Sequence, residues 1–170
     1  FYEIGGGFQN QPGLGIQKLN DWWRKFGLDK ETQIDLKGEK KGFLPDPAWK
    51  EKTRSEPWRV GDTYNVSIGQ GDLAITPLEL LNYIAALGQG GIFYKPRVMK
   101  AIVNEDGRVL LQGQPQVLND LSEELKDFIP DVQAGLKDAV RKSYGTAYLL
   151  NDLPFSVAAK TGSAQIANNA

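Results

Sequence analysis

Four consecutive residues near the C-terminus carry the densest chemistry in this chain: Lys160, Thr161, Gly162 and Ser163. A lysine supplies a fixed positive charge that can hold a neighbouring hydroxyl or draw in an anionic group. The threonine adds a hydroxyl for a carboxylate. Glycine has no side chain, so a substrate backbone can come close. The N–H of Ser163 can then face a developing oxyanion. The run 155–165 reads as one extended strand. Such a strand offers unpaired N–H and C=O groups that can take a peptide as an added strand. The plainer reading is a lysine whose charge sits in solvent on an edge strand. The tripeptide alone does not choose between the two. A P-loop fails, because Ala159 stands where that motif needs a glycine before its lysine.

Composition narrows the chemistry further. The 170 residues include no Cys and no His. Thiol nucleophiles, disulfides, thiolate or imidazole metal sites and Ser-His-Asp catalysis are therefore excluded. Ser, Thr, Lys, Tyr, carboxylates and backbone groups remain, and no metal or cofactor is expected. Lys plus Arg total 20 and Asp plus Glu total 21, a net charge of −1. No basic excess exists to neutralise a nucleic-acid backbone. An apolar content of 41% with 24% charged residues marks a globular chain rather than a disordered one. No apolar stretch approaches the ~20 residues of a membrane-spanning helix, and no signal peptide is visible. The chain opens on Phe1-Tyr2-Glu3-Ile4 and closes just after a strand-like run, so it reads as a piece of a longer protein.

The elements that would position these residues follow from periodicity and punctuation. Residues 5–15 hold five glycines and one proline. They lack the spacing of a nucleotide loop and read as a flexible insertion. Ile16, Leu19, Trp22, Trp23 and Phe26 recur at helical spacing up to Gly27, an aromatic stripe that reads as core. Residues 28–60 read as a long, largely irregular connection with one short strand near Ile34-Asp35-Leu36. Thr76, Pro77 and Glu79 start a helix over 76–87, with Leu78, Leu81, Ile84, Ala85 and Leu87 as its apolar face. Residues 93–112 read as a β-hairpin turning at Glu105-Asp106-Gly107. A helix over 122–142 is divided by Pro130, with Leu136, Ala139 and Val140 on its buried side. A short helix follows at 145–151. The fold class is α+β (α/β mixed), with helices packed on an antiparallel sheet.

A second signal is longer. Gly61-Asp62-Thr63-Tyr64-Asn65-Val66-Ser67-Ile68-Gly69-Gln70-Gly71 runs toward Thr76-Pro77-Leu78-Glu79-Leu80, and the later run is Lys160-Thr161-Gly162-Ser163-Ala164-Gln165. In these segments the chain resembles the transpeptidase domain of class B penicillin-binding proteins, of the penicillin-binding protein 2 (elongation) type. Ile34-Asp35-Leu36 with Gly38-Glu39, Pro45-Asp46-Pro47-Ala48-Trp49-Lys50 and Gly145-Thr146-Ala147 fall in the family's order. The resemblance spans Phe1 to Gln165, and residues 5–13 depart from it as an insertion.

The resemblance implies a partial penicillin-binding-protein/β-lactamase-like fold, with 1–170 the central part of one transpeptidase domain truncated at both ends. It implies a parent enzyme that cross-links peptidoglycan stem peptides through a serine acyl-enzyme and is acylated by β-lactams. That enzyme would work on the periplasmic side of the bacterial envelope, anchored in the inner membrane, with a glycosyltransferase and other elongation proteins as partners. The family's catalytic set is S-x-x-K, S-x-N and K-[ST]-G. None of the six serines here has a lysine three residues on or an asparagine or aspartate two residues on. The nucleophile is thus expected outside this chain, with Phe1-Tyr2-Glu3 just after the missing S-x-N. The resemblance gives Lys160 the S-x-N hydroxyl and proton traffic, Thr161 the substrate carboxylate, Gly162 close approach, and Ser163 an oxyanion N–H. Ser67 to Gly71 would shape or support the rim of the site. A noncatalytic peptidoglycan-binding module of the same fold, and a β-lactamase or β-lactam sensor, share these motifs. A piece lacking its sheet partners should expose strand edges and apolar surface.

Overall fold

The computed structural model describes residues 1–163. It divides into two units: Phe1–Tyr83 with Tyr94–Leu118, and Ile84–Phe93 with the chain from Asn119 onward. The helices are α1 (Tyr2–Gly6), α2 (Gly15–Lys25), α3 (Pro47–Arg54), α4 (Val60–Ser67), α5 (Pro77–Gly88), α6 (Ser122–Leu125) and α7 (Ile129–Arg141). The strands are β1 (Ile92–Tyr94), β2 (Ala101–Val103), β3 (Val109–Gln112) and β4 (Val117–Asp120). β1 pairs with β4, and β2 with β3. The α+β class expected from sequence is the one observed.

In the first unit, side-chain oxygens bonded to backbone N–H groups fix the turns. The expected irregularity of 28–60 is broken by α3. Asp46 caps it, accepting from the Trp49 N–H at 2.7 Å, and Pro47 follows at the first helical position. Its charged sequence hides the helical period, but the cap and the proline are start signals. The strand expected at Ile34-Asp35-Leu36 is absent. Those residues form a bend, and the Asp35 carboxylate accepts from Val98 N–H at 2.7 Å and Met99 N–H at 2.8 Å. These bonds, Val98 first, hold the Asp35 carboxyl below its ordinary range. The Glu39 carboxylate accepts from both the N–H and the hydroxyl of buried Thr32, each at 2.6 Å.

The aromatic stripe of α2 is only partly core. Phe26 meets Tyr83 edge-on with ring centroids 5.3 Å apart, yet Trp22 stays 37% exposed. The one fully buried residue of α2 is Asn20, whose amide donates to the Pro45 carbonyl at 3.0 Å. The glycine-rich run carries its own backbone hydrogen bonds. Phe8 and Gln11 exchange two backbone hydrogen bonds of 3.0 Å, and Leu14 N–H reaches the Ile4 carbonyl at 2.8 Å. Side chains on Gly5 and Gly6 would strike Ser67 and the Tyr64 ring of α4. These glycines are there for close approach rather than for freedom.

Within the expected hairpin, residues 101–112 form the ladder. Ala101 faces Gln112 and Ile102 faces Leu111, with an irregularity before Val103 opposite Val109. Asn104 holds the turn, its side-chain oxygen accepting from Arg108 N–H at 2.7 Å. β1 lies outside this hairpin and pairs with β4 instead. Ile102, Val103, Val109, Leu110 and Leu111 are all exposed, as expected of a chain with apolar surface left open.

The second unit has its own core of Ala86, Leu87, Phe93, Leu121, Leu125, Ile129 and Val140. The expected helix over 122–142 is α6 and α7, with Pro130 in the first turn of α7. On α5 the burial differs from the expected face. Leu81, Ile84 and Ala85 are exposed, and Ala86 and Leu87 are buried. The helix is apolar nearly all round, so its sequence could not say which side is covered. The expected short helix appears as a 3-10 turn at Tyr148–Asp152.

Candidate functional site

The K-T-G-S run does not form the expected strand. Residues 159–163 carry no strand structure. A strand exists only through a ladder to a neighbour, and among the described residues none pairs with this run. Just before the run, Ala159 N–H donates to the Leu136 carbonyl of α7 at 3.0 Å. The remaining part of the expected strand, Ala164 and Gln165, lies outside the described residues.

The four predicted site residues are exposed. The Lys160 ammonium donates to the Thr161 carbonyl at 2.7 Å, which leaves two of its protons for another acceptor. The Thr161 hydroxyl donates to the Thr146 hydroxyl at 3.0 Å. A hydroxyl proton rotates freely, so this pair can turn toward an incoming carboxylate. A side chain on Gly162 would meet nothing within 4 Å, leaving its backbone open to approach. A cavity of about 430 Å³ lies just upstream, lined by Val140, Arg141, Leu150, Phe155 and Val157 among others. Lys160 is not part of its lining. At the cavity Arg141 donates to the Ser156 hydroxyl at 3.0 Å.

Thr146 is the residue sequence reasoning left without a role. It follows Gly145, where any side chain would stand 2.3 Å from the Ala139 carbonyl. The close approach lets Ala147 N–H reach that carbonyl at 2.9 Å, so the chain turns off the end of α7 and brings Thr146 to Thr161. The G-T-A signal was visible in the sequence, but its contact was not.

The G-D-T and T-P-L-E segments of the first unit prove to be fastenings. Asp62 accepts from Arg59 N–H at 2.7 Å, capping α4, and from the buried Lys50 ammonium at 2.8 Å. Trp58 donates to the buried Thr63 hydroxyl at 2.9 Å. Ser67 donates to the Thr63 carbonyl one turn back at 2.6 Å, so this hydroxyl is already engaged. Thr76 and Glu79 form a full capping box, Glu79 N–H to the Thr76 hydroxyl at 3.2 Å and Thr76 N–H to the Glu79 carboxylate at 2.7 Å.

The Lys50–Asp62 pair makes the first unit pH-sensitive at both ends. The hydrogen bond to Asp62 raises the Lys50 ammonium above its ordinary 10.5. Burial pushes Asp62 up, but the bonds from Lys50 and from Arg59 N–H outweigh it, and the carboxyl titrates below 3.8. A lowered carboxyl stabilises the fold above its unfolded value and loses that contribution as pH falls through the folded one. A raised ammonium stabilises below its unfolded value and loses that contribution as pH rises through the folded one. The urea midpoint of Asp62→Asn should therefore lie below wild type at neutral pH. The gap should close in acid below pH 3.8 and in alkali above pH 10.5. A gap constant across pH would contradict this.

Helices and short antiparallel ladders carrying an exposed K-T-G-S run define a class, and comparison names it. The profile of the penicillin binding protein transpeptidase domain family matches residues 8–170. The chain belongs to this family. It is 32% identical over 162 residues to the peptidoglycan D,D-transpeptidase MrdA of Acinetobacter baumannii, covering 90% of this chain and 22% of that protein. Penicillin-binding protein PBP2 from Helicobacter pylori matches it with a TM-score of 0.78 and 28% identity, over 97% of this chain and 28% of that one. In the complex of PBP2 with MreC from the same organism, the score is 0.76 at 29% identity, over 96% of this chain and 28% of that one. The chain thus spans about a quarter of the length of these relatives.

Proposed function

We propose that residues 1–170 form the central part of one transpeptidase domain in a peptidoglycan D,D-transpeptidase of the penicillin-binding protein 2 type. The parent's serine attacks the penultimate D-alanine carbonyl of a stem peptide. The terminal D-alanine leaves, taking a proton, and an ester to the serine remains. An amine of a second stem peptide then attacks that ester, forming the cross-link and freeing the serine. β-Lactams acylate the same hydroxyl. Lys160 holds the S-x-N hydroxyl and moves protons, while Thr161, steadied by Thr146, takes the substrate carboxylate. Gly162 admits the substrate backbone and Ser163 supplies an oxyanion N–H. The parent works on the extracytoplasmic side of the bacterial envelope, anchored in the inner membrane. Its partners are a glycosyltransferase and other elongation proteins, and the PBP2–MreC complex of a relative supports that choice.

The observation that carries this reading is the exposed Lys160-Thr161-Gly162-Ser163 run in a chain that the transpeptidase profile matches from residue 8 to 170. No serine here has the spacing of the family's nucleophile. A fluorescent penicillin should therefore leave the purified 170-residue chain unlabelled and acylate the full-length protein, read as a band resistant to denaturation. Labelling of the isolated chain would refute the assignment of the nucleophile. An unlabelled, folded full-length protein would refute the enzyme.

A further inference from the structure

We propose that the cleft holding Arg141, Asn151 and Ser156 binds a carboxylate carried on a short apolar chain. The cleft lies within the second unit and measures about 430 Å³. Small-molecule pockets span about 300–1,000 Å³. Its polar side chains are a guanidinium, an amide and a hydroxyl, and no carboxylate lines it. All three can donate hydrogen bonds. The guanidinium is fixed at the wall by its 3.0 Å bond to the Ser156 hydroxyl, since both residues line the cleft. Among the described residues it makes no other hydrogen bond and no ion pair. That bond uses one of its five N–H donors, and the rest suit the two oxygens of a carboxylate. Ser156 accepts from Arg141, so its own proton is free for the same ligand. Leu150, Leu153 and Phe155 supply walls for an apolar chain.

A cation in the last turn of a helix ordinarily answers the helix's own open carbonyls. Here backbone donors do that instead. Lys142 N–H reaches the Asp138 carbonyl at 3.0 Å, and Ala147 N–H reaches the Ala139 carbonyl at 2.9 Å. Arg141 turns away from its helix to a residue fifteen positions on. The acids nearest in sequence, Asp138 and Asp152, do not line the cleft. An ammonium ligand would meet the guanidinium's charge directly. A neutral amide would forfeit the charge-assisted bonds, which are about twice as strong as neutral ones.

The test follows binding to the full-length protein by saturation-transfer NMR, with hexanoate, N-acetyl-leucine, N-acetyl-leucinamide and hexylammonium as probes. Both carboxylates should saturate with a Kd of about 1–10 mM, as one exposed ion pair with apolar contact allows. Whichever binds tighter tells the source, N-acetyl-leucine for a peptide end and hexanoate for a free acid, and either order supports the site. The amide and the ammonium should bind at least about threefold more weakly. Arg141 is exposed, so its variants should melt like wild type. Arg141→Gln should weaken both carboxylates at least about threefold, and Arg141→Glu should abolish their binding. Lys160 is not part of the lining, so Lys160→Ala should leave the affinity unchanged. No saturation by about 100 mM, equal binding of the amide or of hexylammonium, or an affinity unmoved by Arg141→Gln and Arg141→Glu would each overturn the proposal. If Lys160→Ala removed the signal instead, the carboxylate would sit on the K-T-G-S run. The cleft would then not be its site, while the transpeptidase reading would stand.

Discussion

Glu79→Ala should strip the first unit of a large share of its stability. The buried Glu79 carboxylate accepts from three separate stretches of backbone: Thr76 N–H at 2.7 Å, Gly42 N–H at 2.9 Å and Lys30 N–H at 3.3 Å. Loss of the helix cap alone costs about 1 kcal/mol. Each buried N–H left without a partner costs about 1–3 kcal/mol more. Gly42 N–H and Thr76 N–H are the well-formed bonds, both half-buried, and the second belongs to the cap, so the total is about 2–3 kcal/mol. A domain stable by about 5–15 kcal/mol loses a large share of its margin. Urea unfolding of the wild type and variant should show the midpoint drop, with amide exchange fastest at Lys30, Gly42 and Thr76. Glu79→Gln keeps one acceptor oxygen and points N–H₂ at a backbone donor, so it should lose about half as much. If Glu79→Ala melted like wild type, or exchange rose evenly across the unit, the carboxylate would not be the tie that joins these loops.

The same residue marks how far the sequence could be read. Thr76, Pro77 and Glu79 announce a helix start because capping acts over three residues. Nothing local says that the capping carboxylate also gathers Lys30 and Gly42, 49 and 37 residues away. The pattern repeats at Asp62, legible as part of a motif but not as the partner of Lys50, and at Asp35, mistaken for strand because its bonds to Val98 and Met99 are remote. α3 escaped the hydrophobic period because charged residues dominate it, although its cap and proline were in plain view. Over its described residues, 155–163, the expected strand failed for the opposite reason. Its local pattern was right for an extended chain, but strand structure needs a paired neighbour. Site residues were legible as types in a row. The hydroxyl contact of Thr161 with Thr146 depends on the turn off α7, which no spacing rule encodes.

Lys160→Ala in the full-length protein should slow acylation by penicillin about 100–1,000-fold, the range of a lost proton-transfer or oxyanion-stabilising group. Lys160 is exposed, and one of its three protons is spent on the Thr161 carbonyl at 2.7 Å. Its removal frees that carbonyl to water and should leave the melting temperature within a degree or two, so the loss reads chemistry rather than folding. Lys160→Arg separates the two parts of the proposed role. A guanidinium keeps the positive charge and offers donors to a neighbouring hydroxyl, but it does not give up its proton in a protein. If charge alone matters, Arg should restore acylation to within about tenfold of wild type. If proton traffic runs through the amine, Lys160→Arg should stay as slow as Lys160→Ala. Thr161→Val adds a second check, since it should weaken penicillin binding through the lost carboxylate contact. The acylation rate of the bound complex should change far less. An unchanged acylation rate in Lys160→Ala would remove the lysine from the reaction and, with it, the reading of this run as the wall of a transpeptidase site.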